Sequence, residues 1–210
     1  MLYRRSTGHG VELHAAHGYL IAQFLSPKYN RRNDTYGGSP ERRAKVLLDI
    51  INGIKKSCDR AFSLGVRLSP ERFGQKTEEM RDLAAVLLVD PRIDYLDISL
   101  WDVFKKANDD KFSGQSLLKI FTDLPRKGVL LGAAGKLYST SDCEEAIDRG
   151  LDFVSIGRAA IVHSNFPNLA LGSSDFRMLD LPVTREHLAK QGLGSRFIEY
   201  MSNWEGFVIS

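Results

Sequence analysis

Gly10-Val11-Glu12-Leu13-His14 runs directly into Ala15-Ala16-His17-Gly18-Tyr19. The first five residues predict a short strand, with Glu12 and His14 on one side of it by parity. Immediately past its carboxyl end come two imidazoles, three positions apart, and a phenol. A strand that hands its carboxyl end to polar or glycine residues recurs along the chain, and this repetition decides the fold.

Working outward, four more β-branched runs predict strands at Leu64–Ser69, Tyr95–Ser99, Val129–Gly132 and Phe153–Gly157. Helical patterns alternate with them. Ala44, Leu47, Leu48, Ile51 and Ile54 recur at three- and four-residue steps and give one apolar helix face. Ser39-Pro40-Glu41 starts that helix with a capping hydroxyl, a proline in the first turn and an acid near the positive dipole end. Thr77-Glu78-Glu79 opens a second helix, and Ser141-Asp142-Cys143-Glu144 reads as the capping box of a third. Strand–helix alternation of this kind means βαβ units and a parallel sheet. The nearly continuous apolar strands predict a sheet covered on both faces.

Polar placement favours a barrel over an open doubly wound sheet. His14, Arg67, Ser99, Gly132 and Gly157 fall at or just past five strand ends, where a TIM barrel builds its site. A doubly wound sheet gathers its ligand at one switch point instead. The expected architecture is α/β, an incomplete TIM (β/α)8-type barrel with about five of eight parallel strands and flanking helices. The expected organisation is a short basic segment over 1–9, a partial barrel domain over 10–163 and a helical extension over 164–210. To the extension, with Leu181-Pro182-Val183-Thr184 and Trp204-Glu205-Gly206-Phe207, we assign no chemistry.

Composition narrows the function. Of 210 residues 43% are hydrophobic and 26% charged, enough for a sizeable core, and the net charge of +3 is scattered rather than clustered. That argues against a nucleic-acid partner. No apolar run reaches the length of a membrane span, and the basic N-terminus lacks an apolar stretch behind it, so a cytoplasmic protein is expected. Two cysteines, Cys58 and Cys143, offer no disulfide framework.

Two imidazoles at a tight turn can donate N–H bonds to one carbonyl oxygen and draw electron density from its β-carbon. A nearby phenol can then deliver a proton. As a zinc site the pair lacks a third ligand at any recognisable spacing, and we expect no metal. Arg67 is the single cation in an otherwise apolar strand, so it needs an anionic partner, either a bound ligand or a structural carboxylate. Gly132-Ala133-Ala134-Gly135 and Ile156-Gly157-Arg158 close the last two strands, where barrels commonly bind phosphate. A phosphate-binding barrel isomerase without flavin fits these loops as well.

A longer stretch resolves the choice. Gly10 to Ile21 continues into Gln23-Phe24-Leu25-Ser26-Pro27, then Asn30, Arg32, Asp34 and Tyr36-Gly37-Gly38-Ser39-Pro40-Glu41-Arg42-Arg43. This resembles the signature of the old yellow enzymes around their fourth barrel strand, in the form with two histidines. The resemblance implies an oxidoreductase that holds FMN non-covalently, takes reducing equivalents from NAD(P)H and reduces the activated C=C bond of a small enone. It implies that His14 and His17 bind the substrate carbonyl and that Tyr19 protonates the α-carbon. Arg67 would sit against the flavin N1/O2 edge, Gly157 and Arg158 would hold the phosphate, and Ala134 with Gly135 would form the companion loop. The segment from Asn30 to Arg43 is mostly structural in that family. The resemblance begins at the fourth of eight strands, so the N-terminal half is expected to be absent. Such a sheet has two open edges, which invite pairing with another chain, including a second copy, and an apolar inner surface left wet. The alternative is therefore an inactive half-barrel that binds FMN poorly or needs a separate N-terminal partner.

Overall fold

β1 (Gly10–Ala15), β2 (Ser63–Leu68), β3 (Tyr95–Ser99), β4 (Leu130–Ala134) and β5 (Phe153–Ser155) form one sheet, each strand parallel to the next and in chain order. Our computed structural model describes residues 9–59 and 61–209, so all of the segment expected over 1–9 except His9 lies outside the described residues. Sequential order means that every crossover steps to the same side, as in an arc of a barrel wall. A doubly wound sheet would reverse direction. Among the described residues β1 and β5 each pair on one side only, leaving two open edges.

The crossovers follow from local chemistry. α1 (Leu20–Leu25) and α2 (Pro40–Ser57) link β1 to β2, and the Ser39 hydroxyl accepts from the Arg42 N–H to cap α2. Ala44, Leu47 and Ile51 bury its apolar face. α3 (Thr77–Leu87), with Glu78 and Glu79 in its first turn, links β2 to β3, and α4 (Leu117–Thr122) links β3 to β4. α5 (Thr140–Asp148) begins earlier than expected. The capping box joins Ser139 to Asp142, not Ser141 to Glu144. Cys58 caps the end of α2, Cys143 lies in α5, and both thiols are free.

The main core lies between the helices and one face of the sheet. Leu64, Val66, Leu68, Leu96, Ile98 and Leu131 are fully or almost fully buried there against Leu47, Ile51, Ala84 and Leu87. The opposite face differs from expectation. It is not a continuous apolar surface. In register, His14, Arg67, Asp97 and Gly132 form one row across four strands, and ladder partners share a face. The row below it carries Glu12, Gly65 and Tyr95. Here the aromatic rings lie over glycines. A Cβ on Gly65 would fall 2.0 Å from the Tyr95 ring, and one on Gly132 would fall 2.2 Å from the Phe153 ring. The two rings meet edge to face at 5.6 Å. Glycine at these strand positions is the space that the rings occupy.

After β5 come α6 (Arg158–Val162), α7 (Phe166–Gly172), α8 (Arg185–Lys190) and α9 (Ser195–Met201). They build a second apolar cluster from Val162, Phe166, Leu188, Ile198, Met201 and Phe207. α7 falls where the sequence pattern loosens into an apparently irregular connection, because Phe166 alone anchors it.

Candidate active site

His14 stands near the end of β1, in register with Arg67. The chain then turns sharply: His17 has φ 56° and Gly18 φ 75°, and the Tyr19 N–H returns to the Ala16 carbonyl at 3.2 Å. The His17 N–H donates to the Ser69 hydroxyl at 2.9 Å, which fixes the turn against the end of β2. This geometry brings the expected triad together. The ring centroids of His14 and His17 are 5.0 Å apart, and those of His14 and Tyr19 are 5.3 Å apart. Tyr19 is 63% exposed, so its phenol faces open space. Burial and the neighbouring Arg67 charge lower the pKa of His14. Burial, Arg67 and then His14 lower that of His17 to about 4. Much of the His17 residue is open, but its ring packs between His14 and Phe73. Both imidazoles are neutral at physiological pH, and each carries one N–H to donate.

Arg67 donates from Nε to the Ser99 hydroxyl at 2.7 Å and lies 3.4 Å from Asp97 Oδ2. The carboxylate partner left open by the sequence is therefore present. Asp97 is 2% exposed, accepts from the Ser155 hydroxyl at 2.9 Å, and keeps Oδ1 without a hydrogen-bond partner. Burial raises its pKa, against the lowering effect of Arg67 and Ser155. Glu12 is raised for the same first reason, reinforced by Asp97.

The loops after β3 and β4 interlock. Leu100 N–H donates to the Ala134 carbonyl at 2.9 Å and Val103 N–H to the Gly135 carbonyl at 3.1 Å. A Cβ on Gly135 would stand 2.7 Å from the Asp102 nitrogen, so only glycine allows that approach. Gly157 precedes α6 and Arg158 is its first residue. The Arg158 guanidinium lies over the Trp101 ring at 5.9 Å.

A cleft of about 250 Å³ opens at this end of the sheet, and His17, Arg67, Ala134, Gly135, Gly157 and Arg158 all line it. His14 and Tyr19 stand beyond His17 rather than on the cleft wall. The sequence reading missed Asp97, Arg72, Phe73 and Trp101. Asp97 carried a signal: like Arg67, it is one charge in an apolar strand. The other three come from loops with no periodicity to mark them. Among the described residues no group of three or more His, Cys, Asp or Glu side chains is placed to hold a metal ion.

The chain is similar in sequence and fold to known oxidoreductases. A family profile described as NADH:flavin oxidoreductase / NADH oxidase matches residues 5–171. A probable NADH-dependent flavin oxidoreductase, YqiG, of Bacillus subtilis is 37% identical over 75% of this chain and 44% of its own length. The NADPH dehydrogenase of Bacillus pumilus is 32% identical over 76% of this chain and 47% of its own. The structure of morphinone reductase superposes with a TM-score of 0.64 at 27% identity, over 88% of this chain and 48% of that one. The chain thus spans slightly less than half the length of these proteins. No helix among the described residues is long and apolar enough to cross a membrane.

Proposed function

The chain belongs to the NADH:flavin oxidoreductase / NADH oxidase family, and we propose that its cleft binds FMN non-covalently in a site that reduces activated C=C bonds of α,β-unsaturated carbonyl compounds with NAD(P)H. One observation carries this reading: a neutral imidazole pair and a phenol gather at one strand end, beside a cleft that presents two separate guanidinium groups.

The residues present fit such a cofactor. Among the described residues Arg158 has no carboxylate partner, and the space where a Gly157 side chain would stand is open. A phosphate needs both a cation and room to approach. The polar contacts of Arg67 run through Nε, and the residue lines the cleft. A cation there favours negative charge on a ring edge. Ala134 and Gly135 line the same cleft.

When bound, the flavin supplies two-electron chemistry between NAD(P)H and an alkene. The protein's own part is binding and proton transfer. His14 and His17 each donate an N–H to the carbonyl oxygen and stabilise charge that develops there. Their lowered pKa values keep them neutral, so the substrate oxygen meets hydrogen-bond donors rather than fixed cations. The Tyr19 hydroxyl delivers the proton to the α-carbon.

The two open sheet edges support a second reading, in which this chain alone holds FMN poorly and a polypeptide that completes the sheet is required. Titrating FMN against the full chain, followed by flavin fluorescence, separates the two. Saturable binding to a monomer, with NADPH oxidation accelerated by 2-cyclohexenone, supports the first reading. Absence of binding, restored by a strand-supplying partner, supports the second.

A further inference from the structure

Among the described residues Asp97 is the most deeply buried charged side chain, at 2% exposed. Few donors reach it. The Ser155 hydroxyl donates to Oδ2 at 2.9 Å. The Arg67 Nε stands 3.4 Å from the same oxygen but gives its hydrogen bond to Ser99, and Oδ1 has no hydrogen-bond partner. An ionised carboxylate out of water needs more than this to stay charged.

The rest of its surroundings adds no donor. Glu12 on β1 stands in the row below and brings a second negative charge, while Tyr95 on the strand of Asp97 itself bonds Glu12 instead. On β4 the register partner is Gly132, which carries no charge. Asp97 is therefore balanced: burial favours the protonated acid, and Arg67 with Ser155 favours the carboxylate. A group held this way answers to any charge that appears nearby. Two of its neighbours connect it to the cleft. Arg67 stands beside Asp97 and lines the cleft, so it feels charge on both. Ser155 bonds Asp97 and also lines the cleft, which gives a proton a path between the buried acid and solvent.

We propose that Asp97 is a positioning residue for the flavin reaction, a buried acid that takes up a proton when the bound cofactor is reduced and releases it on reoxidation. It touches no reacting atom and acts through Arg67. The assignment rests on the flavin reading above. Hydride from NAD(P)H carries two electrons and one proton, and it leaves the cofactor one unit more negative. That charge competes with Asp97 for the field of Arg67. A second proton, from solvent by way of Ser155, converts the Asp97 carboxylate to the acid and restores the net charge of the site. When hydride passes to the alkene, this proton returns to solvent, and the α-carbon still receives its own from Tyr19.

The test follows the reduction potential of FMN bound to the full chain from about pH 5 to about pH 9, in wild type and Asp97→Asn. Asparagine keeps the shape and an acceptor for Ser155 but cannot titrate. The difference between the two curves is the readout, because it cancels any proton that the cofactor takes up itself. The curves should run together at the acid end, where Asp97 is protonated in both redox states. At higher pH the wild type should fall away by about 30 mV per pH unit, one extra proton for two electrons, and then keep a constant lower offset. Reduction should also produce an infrared carboxylic-acid C=O band in the wild type that shifts with carbon-13-labelled aspartate, a measurement that needs no variant. Parallel curves, a band that does not shift, or no band at all would overturn the role of Asp97 while leaving the cofactor site intact. Failure of the wild type to bind FMN would sink the flavin reading and this role with it.

Discussion

The Nε–H of Arg67 rests on the Ser99 hydroxyl at 2.7 Å, a bond that crosses from the end of β2 to the end of β3. The same nitrogen lies 3.4 Å from Asp97 Oδ2, so Ser99 and Asp97 together hold the Nε end of a guanidinium that lines the cleft. Ser99→Ala removes the near acceptor and leaves the Nε–H only the more distant Asp97 carboxylate. A loss of about 1–2 kcal/mol in urea denaturation is expected when a partly buried charged donor loses its shortest hydrogen bond. FMN affinity should fall alongside. An unchanged FMN titration would show that the orientation of Arg67 does not matter for the cofactor.

Tyr19 stands outside the cleft wall and beside His14, so the proposed mechanism gives it a role separate from cofactor binding. Tyr19→Phe should leave reduction of the flavin by NAD(P)H at the wild-type rate. Reoxidation by an enone should slow by about 10²-fold or more, the usual contribution of a positioned general acid. Stopped-flow measurement of the two half-reactions gives the comparison, and equal reoxidation rates would remove the phenol from the mechanism.

Most of the site was legible in the sequence because strand ends fix position. A residue at the carboxyl end of a parallel strand has little choice of neighbourhood, so His14, His17 and Arg67 could be placed together from order alone. Helix starts were less certain. Ser139 and Ser141 both stand three residues before an acid, at Asp142 and Glu144, and only the backbone decides which one caps α5. Contacts between loops were not legible. Arg72 and Trp101 follow different strands, and no spacing rule links them. The polar inner face was half visible, through the parity of Glu12 and His14, but the apolar neighbours of Asp97 hid its row.

That inner face depends on absent side chains as much as on present ones. Gly65→Ala would drive a methyl into the Tyr95 ring, and Gly132→Ala would do the same at Phe153. Each should cost about 1–3 kcal/mol or more, because the rings sit edge to face and cannot both retreat. Pairing Gly65→Ala with Tyr95→Leu should recover part of the loss in urea denaturation. Full additivity of the two changes would show that the ring is not the obstacle.

Arg43 gives structural weight to the segment between β1 and α2. It is 4% exposed, donates from Nε to the Leu25 carbonyl at 2.9 Å, bonds the Gly38 carbonyl and pairs with Glu79 on α3. Arg43→Ala leaves two carbonyls unpaired and the partly buried Glu79 carboxylate with only Lys76, 3.9 Å away, and a loss of about 3 kcal/mol is expected. Arg43→Ala combined with Glu79→Leu should be less damaging than the single change. Unfolding by urea, read by far-ultraviolet circular dichroism, measures both.

The imidazole pair makes stability depend on pH in a predictable direction. His17 takes up a proton near 6.5 in the unfolded chain but only near 4 in the fold, held down by burial, Arg67 and His14. Between those values the unfolded chain binds more protons, so the His17 contribution to stability declines as pH falls from about 6.5 to about 4 and is constant outside that window. His14 shifts in the same direction. The raised carboxyls of Glu12 and Asp97 act oppositely, favouring the fold as they protonate. The comparison of wild type with His17→Asn isolates the imidazole. The wild type should lose more stability than the variant on going from pH 7 to about pH 4.5. Parallel curves, or a His17 ring that titrates near 6.5 by NMR, would mean that the ring is not packed as the structure has it.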